Sequence, residues 1–235
     1  MMSGRIQRVR HELKLRELQV VKVDQLAPNY VSVTFKGETL HDFVSASYDD
    51  HVKFFVGDEV RRDFTPRGYD NAAGELTIEF ALHATGAASD WARQVAPGQR
   101  ASIGGPRGSM VIPMDYDWLV LAGDATALPA IRRRLEELPA GAQVQVLVCG
   151  DEAGALPFRS EAQVVLERYA DSEALLAAIR ALQLPAGEGF FWFAGEAAAA
   201  AQVRDAVFTD KGHPRDAARI SAYWKQGASG HHEDL

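Results

Sequence analysis

The chain has one cysteine, Cys149, in 235 residues. That count excludes an intramolecular disulfide and an iron–sulfur cluster held by four thiolates of the chain, and it fits a reducing compartment. No apolar run approaches the roughly 20 residues that span a bilayer. Residues 1–16 carry Arg5, Arg8, Arg10, Lys14 and Arg16, without an apolar stretch of the signal-peptide kind. An excess of positive charge is also lacking: 32 acidic residues outnumber 25 basic ones, a net charge of −7, so no nucleic-acid footprint dominates. There is no repeat, no low-complexity linker and no Gly-x-Gly-x-x-Gly motif. His231 and His232 are too few for a metal site, and none is expected elsewhere. These absences predict a soluble, cytoplasmic protein with no nucleic-acid partner and no stable membrane association; a monomer is expected.

Almost half the residues are hydrophobic, ample for a sizeable core. The first half reads as short strands separated by turn residues: 15–23, 30–35, 51–56, 75–82 and 100–103. One helix is expected over 87–95, with Ser89 or Asp90 near its start. After about residue 114 the pattern changes. Trp118–Ala122 is a continuous apolar run, as in a parallel sheet covered on both faces. Helices are expected over 126–138, 172–184 and 196–209, and strands over 143–149, 163–166, 190–194 and 219–224. The predicted fold is therefore an N-terminal antiparallel β-barrel over 1–114, followed by a Rossmann-like α/β domain over 115–235. The ligand of the second domain is expected at the carboxyl ends of its strands.

Two motifs stand out in the first half. In the Arg62–Arg67 stretch, extended backbone alternates faces. Arg62, Phe64 and Thr65 or a neighbour then present a cation, a ring and a hydrogen-bonding group to a flat ligand with a phosphate tail. Gly104-Gly-Pro-Arg-Gly-Ser109 offers bare backbone N–H groups where a pyrophosphate can approach. In the second half, Gly123-Asp-Ala-Thr-Ala-Leu-Pro129 and Ala194-Gly-Glu196 each lie where a strand meets a helix N-terminus. Asp124 and Thr126 are also expected to cap their helix. Trp91 reads as core and Cys149 as a buried small hydrophobe. On the helix bearing Arg132, Arg133 and Arg134, at most one or two of the three can face inward, and Arg134 reads as solvated.

These motifs, in this order, resemble the siderophore-interacting proteins, FAD-dependent ferric-siderophore reductases of the ferredoxin-reductase superfamily. The resemblance also rests on His51-Val-Lys-Phe-Phe55, Gly74–Phe80 running into Leu82-His83, Ala88–Ala92 and Tyr223–Gly227. It implies that the segment with Arg62, Asp63, Phe64, Thr65 and Arg67 carries the flavin. Arg62 would meet the FAD phosphates, Phe64 the isoalloxazine and Thr65 its reactive edge. Phe64 stands where many relatives have Tyr, which keeps the ring face and removes the hydroxyl. His83, Ala88 and Ser89 are implied contacts to the FAD phosphates or adenine. Gly104, Gly105, Arg107, Gly108 and Ser109 are implied flavin contacts. Asp124, Thr126 and Ala127 face the nicotinamide side, with Gly195 and Glu196 as a second contact and Trp224 as an aromatic cover. Lys53, Arg133 and Lys225 are implied contacts to an anionic ferric chelate.

The implied activity is transfer of electrons from NADPH or NADH through FAD to siderophore-bound Fe(III). No catalytic side chain is needed beyond the flavin. Two other readings stay open: a flavin reductase or ferredoxin-linked reductase of the same fold, and a protein that binds FAD or siderophore without turnover. Arg204, Lys211 and Arg215 are candidates for a 2′-phosphate contact, with nothing in their spacing that demands it.

Overall fold

The computed structural model describes residues 5–57, 60–82, 86–150 and 152–227. They divide into two units, one of residues 6–112 and one of residues 113–227 together with Arg5. In the first lie β1 (Gln7–Arg10), β2 (Leu15–Ala27), β3 (Tyr30–Lys36), β4 (Val52–Val56), β5 (Val60–Phe64), β6 (Pro66–Asp70), β7 (Glu75–Ala81), α1 (Ala87–Gln94), β8 (Arg100–Gly104) and β9 (Gly108–Val111). Seven of these strands form one antiparallel sheet in the order β5-β4-β8-β2-β3-β7-β6, and β1 pairs with β9 apart from it. The start of β2 alternates exposed and buried residues, the period-two signature of a strand with one face on the core.

The chain path shows that this sheet is curled. β5 and β6 are its two edges, yet only Thr65 separates them. Laid flat, seven strands about 4.8 Å apart would hold their edges roughly 29 Å apart. Two residue steps reach about 7 Å at most. The sheet must roll until its edges adjoin, and the Arg62–Arg67 motif is the seam of the resulting half-barrel. Across that seam Phe64 meets Phe80 of β7, with ring centroids 4.5 Å apart. The interior is packed with Leu18, Val33, Phe35, Phe54, Ile78 and Ile103, all buried. Trp91 of α1 lies against Phe35 at 6.2 Å and edge-on to Phe54 at 4.8 Å, as a core residue.

β5 and β6 were not foreseen as two strands, because their sequence is charged and contains Pro66. At the first residue of an edge strand the missing N–H is harmless. α1 starts at Ala87 with Ser89 and Asp90 in its first turn, as expected. Gly86 precedes it and no side chain caps its first turn. Ser89 is buried there, while Asp90 pairs with Arg93 at 2.8 Å.

The second unit contains β10 (Trp118–Gly123), α2 (Leu128–Glu137), β11 (Gln143–Cys149), α3 (Glu152–Ala155), β12 (Gln163–Tyr169), α4 (Ser172–Ala181), β13 (Gly189–Glu196), α5 (Ala197–Arg204) and β14 (Ala218–Trp224). The sheet is parallel, in the order β12-β11-β10-β13-β14. From β10 the chain steps outward to β11 and β12, then crosses back to β13 and β14. The reversal places a topological switch point between the carboxyl ends of β10 and β13. Every residue of β10 is buried, as its unbroken apolar run requires.

Three expectations for this unit are corrected. α2 begins at Leu128 rather than at 126, because residues 124–127 form a turn closed by the Ala127 N–H on the Asp124 carbonyl at 3.0 Å. Arg132, Arg133 and Arg134 are all buried, at 7, 7 and 2% exposure, so Arg134 is not solvated. Their guanidinium groups find acceptors on neighbouring segments. Arg132 Nε donates to the Pro157 carbonyl at 3.0 Å, Arg134 Nη2 to the Pro113 carbonyl at 2.6 Å, and Arg133 Nε to Glu137 at 2.7 Å. Hydrogen-bonded partners of this kind are what permit arginine burial. Beyond α5 the chain widens into a π-helical turn, Asp205–Asp210, where a continuous α-helix was expected.

Candidate cofactor and substrate sites

Strand register sorts the residues of the first unit. Phe54 lies opposite Arg62 and Val52 opposite Phe64, so Arg62 and Phe64 share a face with buried core residues. Lys53 lies opposite Asp63 on the other face, and its Nζ donates to Asp63 Oδ2 at 2.7 Å. The motif is thereby divided: Asp63 turns away from Arg62 and Phe64 and neutralises Lys53. Arg67 faces Glu79 at 3.4 Å, with both side chains largely buried. Thr65 is buried at the seam. Arg62 has no ion pair among the described residues. Its Nη1 donates to the carbonyl of Arg61 at 2.8 Å. A half-buried cation without a carboxylate, beside a half-buried phenylalanine ring, fits the phosphate and the flat ring system of FAD.

The glycine turn follows β8. Gly104 ends the strand, Gly105 and Pro106 are joined by a cis peptide bond, and Arg107 is exposed with no ion pair among the described residues. Gly108 has a structural reason: a Cβ there would lie 2.5 Å from the Val9 carbonyl oxygen, so glycine lets β1 pair with β9. Ser109 is committed internally. Its hydroxyl donates to buried Asp50 at 2.6 Å and accepts from the Ala46 N–H at 3.1 Å, with His11 Nε2 at 2.7 Å. Asp50 also accepts from Ser45 Oγ and the Ser47 N–H. Asp50 and His11 escaped the sequence reading; the Ser-Ala-Ser before two aspartates was the available signal, as turn chemistry. Ala88 and Ser89 are buried in the uncapped first turn of α1, a location suited to a phosphate. His83 lies outside the described residues.

In the second unit Asp124 is the centre of a polar cluster. Its Oδ1 accepts from Thr126 N–H at 2.9 Å and Thr126 Oγ1 at 2.5 Å. Its Oδ2 accepts from the Glu196 N–H at 3.0 Å and from Trp224 Nε1 at 2.9 Å. A Cβ on Gly195 would lie 2.8 Å from that same oxygen, which is why glycine precedes Glu196. Glu196 caps α5 by accepting from Ala198 and Ala199 N–H groups, and it takes the Gln226 N–H at 3.3 Å. Burial pushes its carboxyl upward, but the N–H donors of Gln226, Ala198 and Ala199 outweigh it and hold the pKa below the usual value. Two carboxylates thus tie the end of β14 to the switch point. Ala127 is buried against β10.

The remaining candidates are scattered in role. Arg133 is paired with Glu137, whereas Lys225 is exposed with no ion pair among the described residues. Arg204 donates to the Ile220 carbonyl and Lys211 to the carbonyls of Arg180 and Leu182. Arg215 lies over the Phe208 ring at 4.6 Å. Cys149 is 4% exposed, and burial, with the charges of Asp124 and Asp171 adding to it, pushes its thiol pKa up to about 12. Among the described residues no cluster of His, Cys, Asp or Glu could hold a metal ion, and no helix is long and apolar enough to cross a membrane.

An antiparallel half-barrel with Arg62 at its seam, followed in the chain by a parallel α/β unit with a switch-point cluster, defines the ferredoxin-reductase-like class of fold. Residues 116–227 match the family described as siderophore-interacting protein, and residues 19–60 and 57–110 match the siderophore-interacting FAD-binding domain. The chain belongs to the siderophore-interacting protein family. It is 33% identical to the NADPH-dependent ferric-chelate reductase of Escherichia coli, over 93% of this chain and 96% of that one. It is 27% identical to the ferric vibriobactin reductase of Vibrio cholerae, over 99% and 97%. The crystal structure of a siderophore utilization protein from T. fusca superposes with a TM-score of 0.87 at 31% identity, covering 95% of this chain and 97% of that one.

Proposed function

We propose that this chain is a cytoplasmic, monomeric NADPH-dependent ferric-siderophore reductase that works through bound FAD. The observation that carries the reading is Arg62. It is a cation without an ion pair among the described residues, on the same face as Phe64, in the half of the chain that matches an FAD-binding domain. FAD held by these residues would supply the redox chemistry, as a two-electron acceptor that can also give up electrons singly. Arg62 and the first turn of α1 hold phosphate, and Phe64 offers a ring face. The β10–β13 switch point takes the nicotinamide nucleotide. There the side chain of Asp124, already serving four donors, positions Trp224 and Glu196 instead of binding the cofactor directly.

A ferric catecholate or hydroxamate arrives already chelated, so the protein need only attract and orient it. Lys53 and Arg133 are neutralised by Asp63 and Glu137, which leaves Lys225 as the stronger electrostatic contact. Hydride transfer needs no proton from a side chain. NADPH as donor is supported by the name of the Escherichia coli relative.

The test is anaerobic. NADPH should bleach the visible flavin absorbance of the purified protein, and a ferric siderophore should restore it with release of Fe(II). Arg62→Ala should weaken FAD retention roughly 10- to 100-fold, the equivalent of losing one charge-assisted contact of about 1.5–3 kcal/mol. Protein that takes up no FAD, or an Arg62→Ala variant with unchanged FAD affinity, would overturn the assignment.

A further inference from the structure

Between β1 and β2 the chain passes from one strand pair to another, since β1 pairs with β9 and β2 with β8. Two backbone hydrogen bonds pin this crossing to the glycine turn. The His11 N–H donates to the Arg107 carbonyl at 2.9 Å, and the Gly105 N–H to the Lys14 carbonyl at 3.1 Å. Beside the crossing lies an open pocket of about 250 Å³, bordered by Gly105 and Pro106. Its polar lining is Arg10, His11, Glu12, Lys14, Arg16 and Asp42. That volume is below the roughly 300–1,000 Å³ of pockets that take drug-sized ligands, so an occupant is small.

The lining has more cationic donors than it has anions to meet them. Three cations, Arg10, Lys14 and Arg16, face two carboxylates, Glu12 and Asp42, which leaves one positive charge in excess. Asp42 accepts from Lys14 Nζ at 2.5 Å and from Arg16 Nη1 at 2.7 Å. Glu12 reaches only Lys14, at 3.2 Å, and its side chain is 79% exposed, so water screens that pair heavily. Arg10 has no hydrogen bond or ion pair from its side chain among the described residues. Arg16 is 4% exposed, and its Nε is buried with no hydrogen-bond partner. That Nε is closed to the solvent filling the pocket, so Arg16 contributes charge at the base of the pocket and no contact through that atom. The wall is held in place by His11, whose ring sits 2.7 Å from Ser109 Oγ.

We infer that this pocket binds a small, doubly charged oxyanion, a phosphate or a dicarboxylate, with Arg10 as its outer contact and Arg16 at its base. The flavin reading does not require this site. Gly105 borders both this pocket and the proposed flavin contacts, but none of the pocket's charged residues is a proposed FAD contact, so anion binding to FAD-loaded protein, read with FAD content unchanged in the Arg10 variants, separates the two.

The test is calorimetric titration of the purified FAD-loaded protein at constant ionic strength, with inorganic phosphate and malonate as probes and chloride as control. Saturable binding of at least one probe is expected. Arg10→Glu should weaken it roughly tenfold or more, as loss of a charge-assisted contact implies, with FAD content unchanged. Arg10→Gln serves as a second variant that removes the charge without introducing repulsion, and it should weaken binding in the same direction. Binding of malonate alone assigns the pocket to carboxylates, and binding of phosphate alone to phosphates. The inference is overturned if neither probe binds beyond the chloride control, or if both Arg10 variants bind like the unaltered protein.

Discussion

Replacing Asp124 with alanine removes the acceptor of four donors at once: the Thr126 N–H and hydroxyl, the Glu196 N–H and the Trp224 indole N–H. A hydrogen bond to a charged acceptor contributes about 1.5–3 kcal/mol when buried. Asp124 and Trp224 are both half-exposed, so water replaces part of each bond. A total loss of about 2–4 kcal/mol is expected for Asp124→Ala, and about 1–2 kcal/mol for Trp224→Phe, which removes the indole donor and part of the ring's packing. The informative quantity is the coupling. Once Asp124 is gone, Trp224→Phe should cost about 1 kcal/mol less than in the intact protein, the hydrogen-bond part alone, and that difference is the interaction energy of the double-mutant cycle. Unfolding in guanidinium, followed by tryptophan fluorescence, reads this directly. Trp118, Trp192 and Trp224 lie in the second unit and only Trp91 in the first. Costs that simply add, within about 0.3–0.5 kcal/mol, would refute the claim that Asp124 holds the indole.

Two further outcomes follow from single groups. With its thiol pKa pushed to about 12 by burial, Cys149 should react with thiol reagents near neutral pH roughly three orders of magnitude more slowly than an ordinary thiol, until guanidinium exposes it. Fast labelling of the folded protein would contradict that burial. Hydrogen bonds from Lys14 and then Arg16 hold the Asp42 carboxyl at about 2, below its ordinary 3.8. A carboxyl depressed on folding contributes stability that is present above its unfolded value and lost as pH falls from 3.8 toward 2. Urea midpoints measured down that range should fall more for the unaltered protein than for Asp42→Asn, and equal slopes would show that the ion pairs contribute nothing.

Much of the second unit was legible because its physics is local. Trp118–Ala122 and Phe190–Ala194 are apolar throughout, and only strands covered on both faces use such runs. What escaped was set by partners distant in sequence. Asp124 read as a helix cap and cofactor contact, while two of its four donors come from Glu196 and Trp224, 72 and 100 residues away. The burial of Arg134 depends on a carbonyl at Pro113 and that of Arg132 on one at Pro157, neither implied by helical periodicity. β5 and β6 were hidden by charge and proline, because their strand character is imposed by closure of the sheet.

The seam also changes how the positive charges are understood. Read along the chain, Arg62, Asp63 and Arg67 look like one patch, and Lys53 a separate substrate contact. Register places Lys53 against Asp63 and packing places Arg67 against Glu79, so those charges largely cancel where they stand. A charge that is cancelled locally steers little at distances beyond a Debye length of about 10 Å. On the proposed function, recruitment of an anionic chelate therefore falls to those proposed contacts without ion pairs among the described residues: Lys225, and Arg62 and Arg107 wherever bound FAD phosphates do not neutralise them. Steering by so few charges implies that the rate of chelate encounter should fall with added salt by a modest factor, while the rate of electron transfer within the formed complex should not.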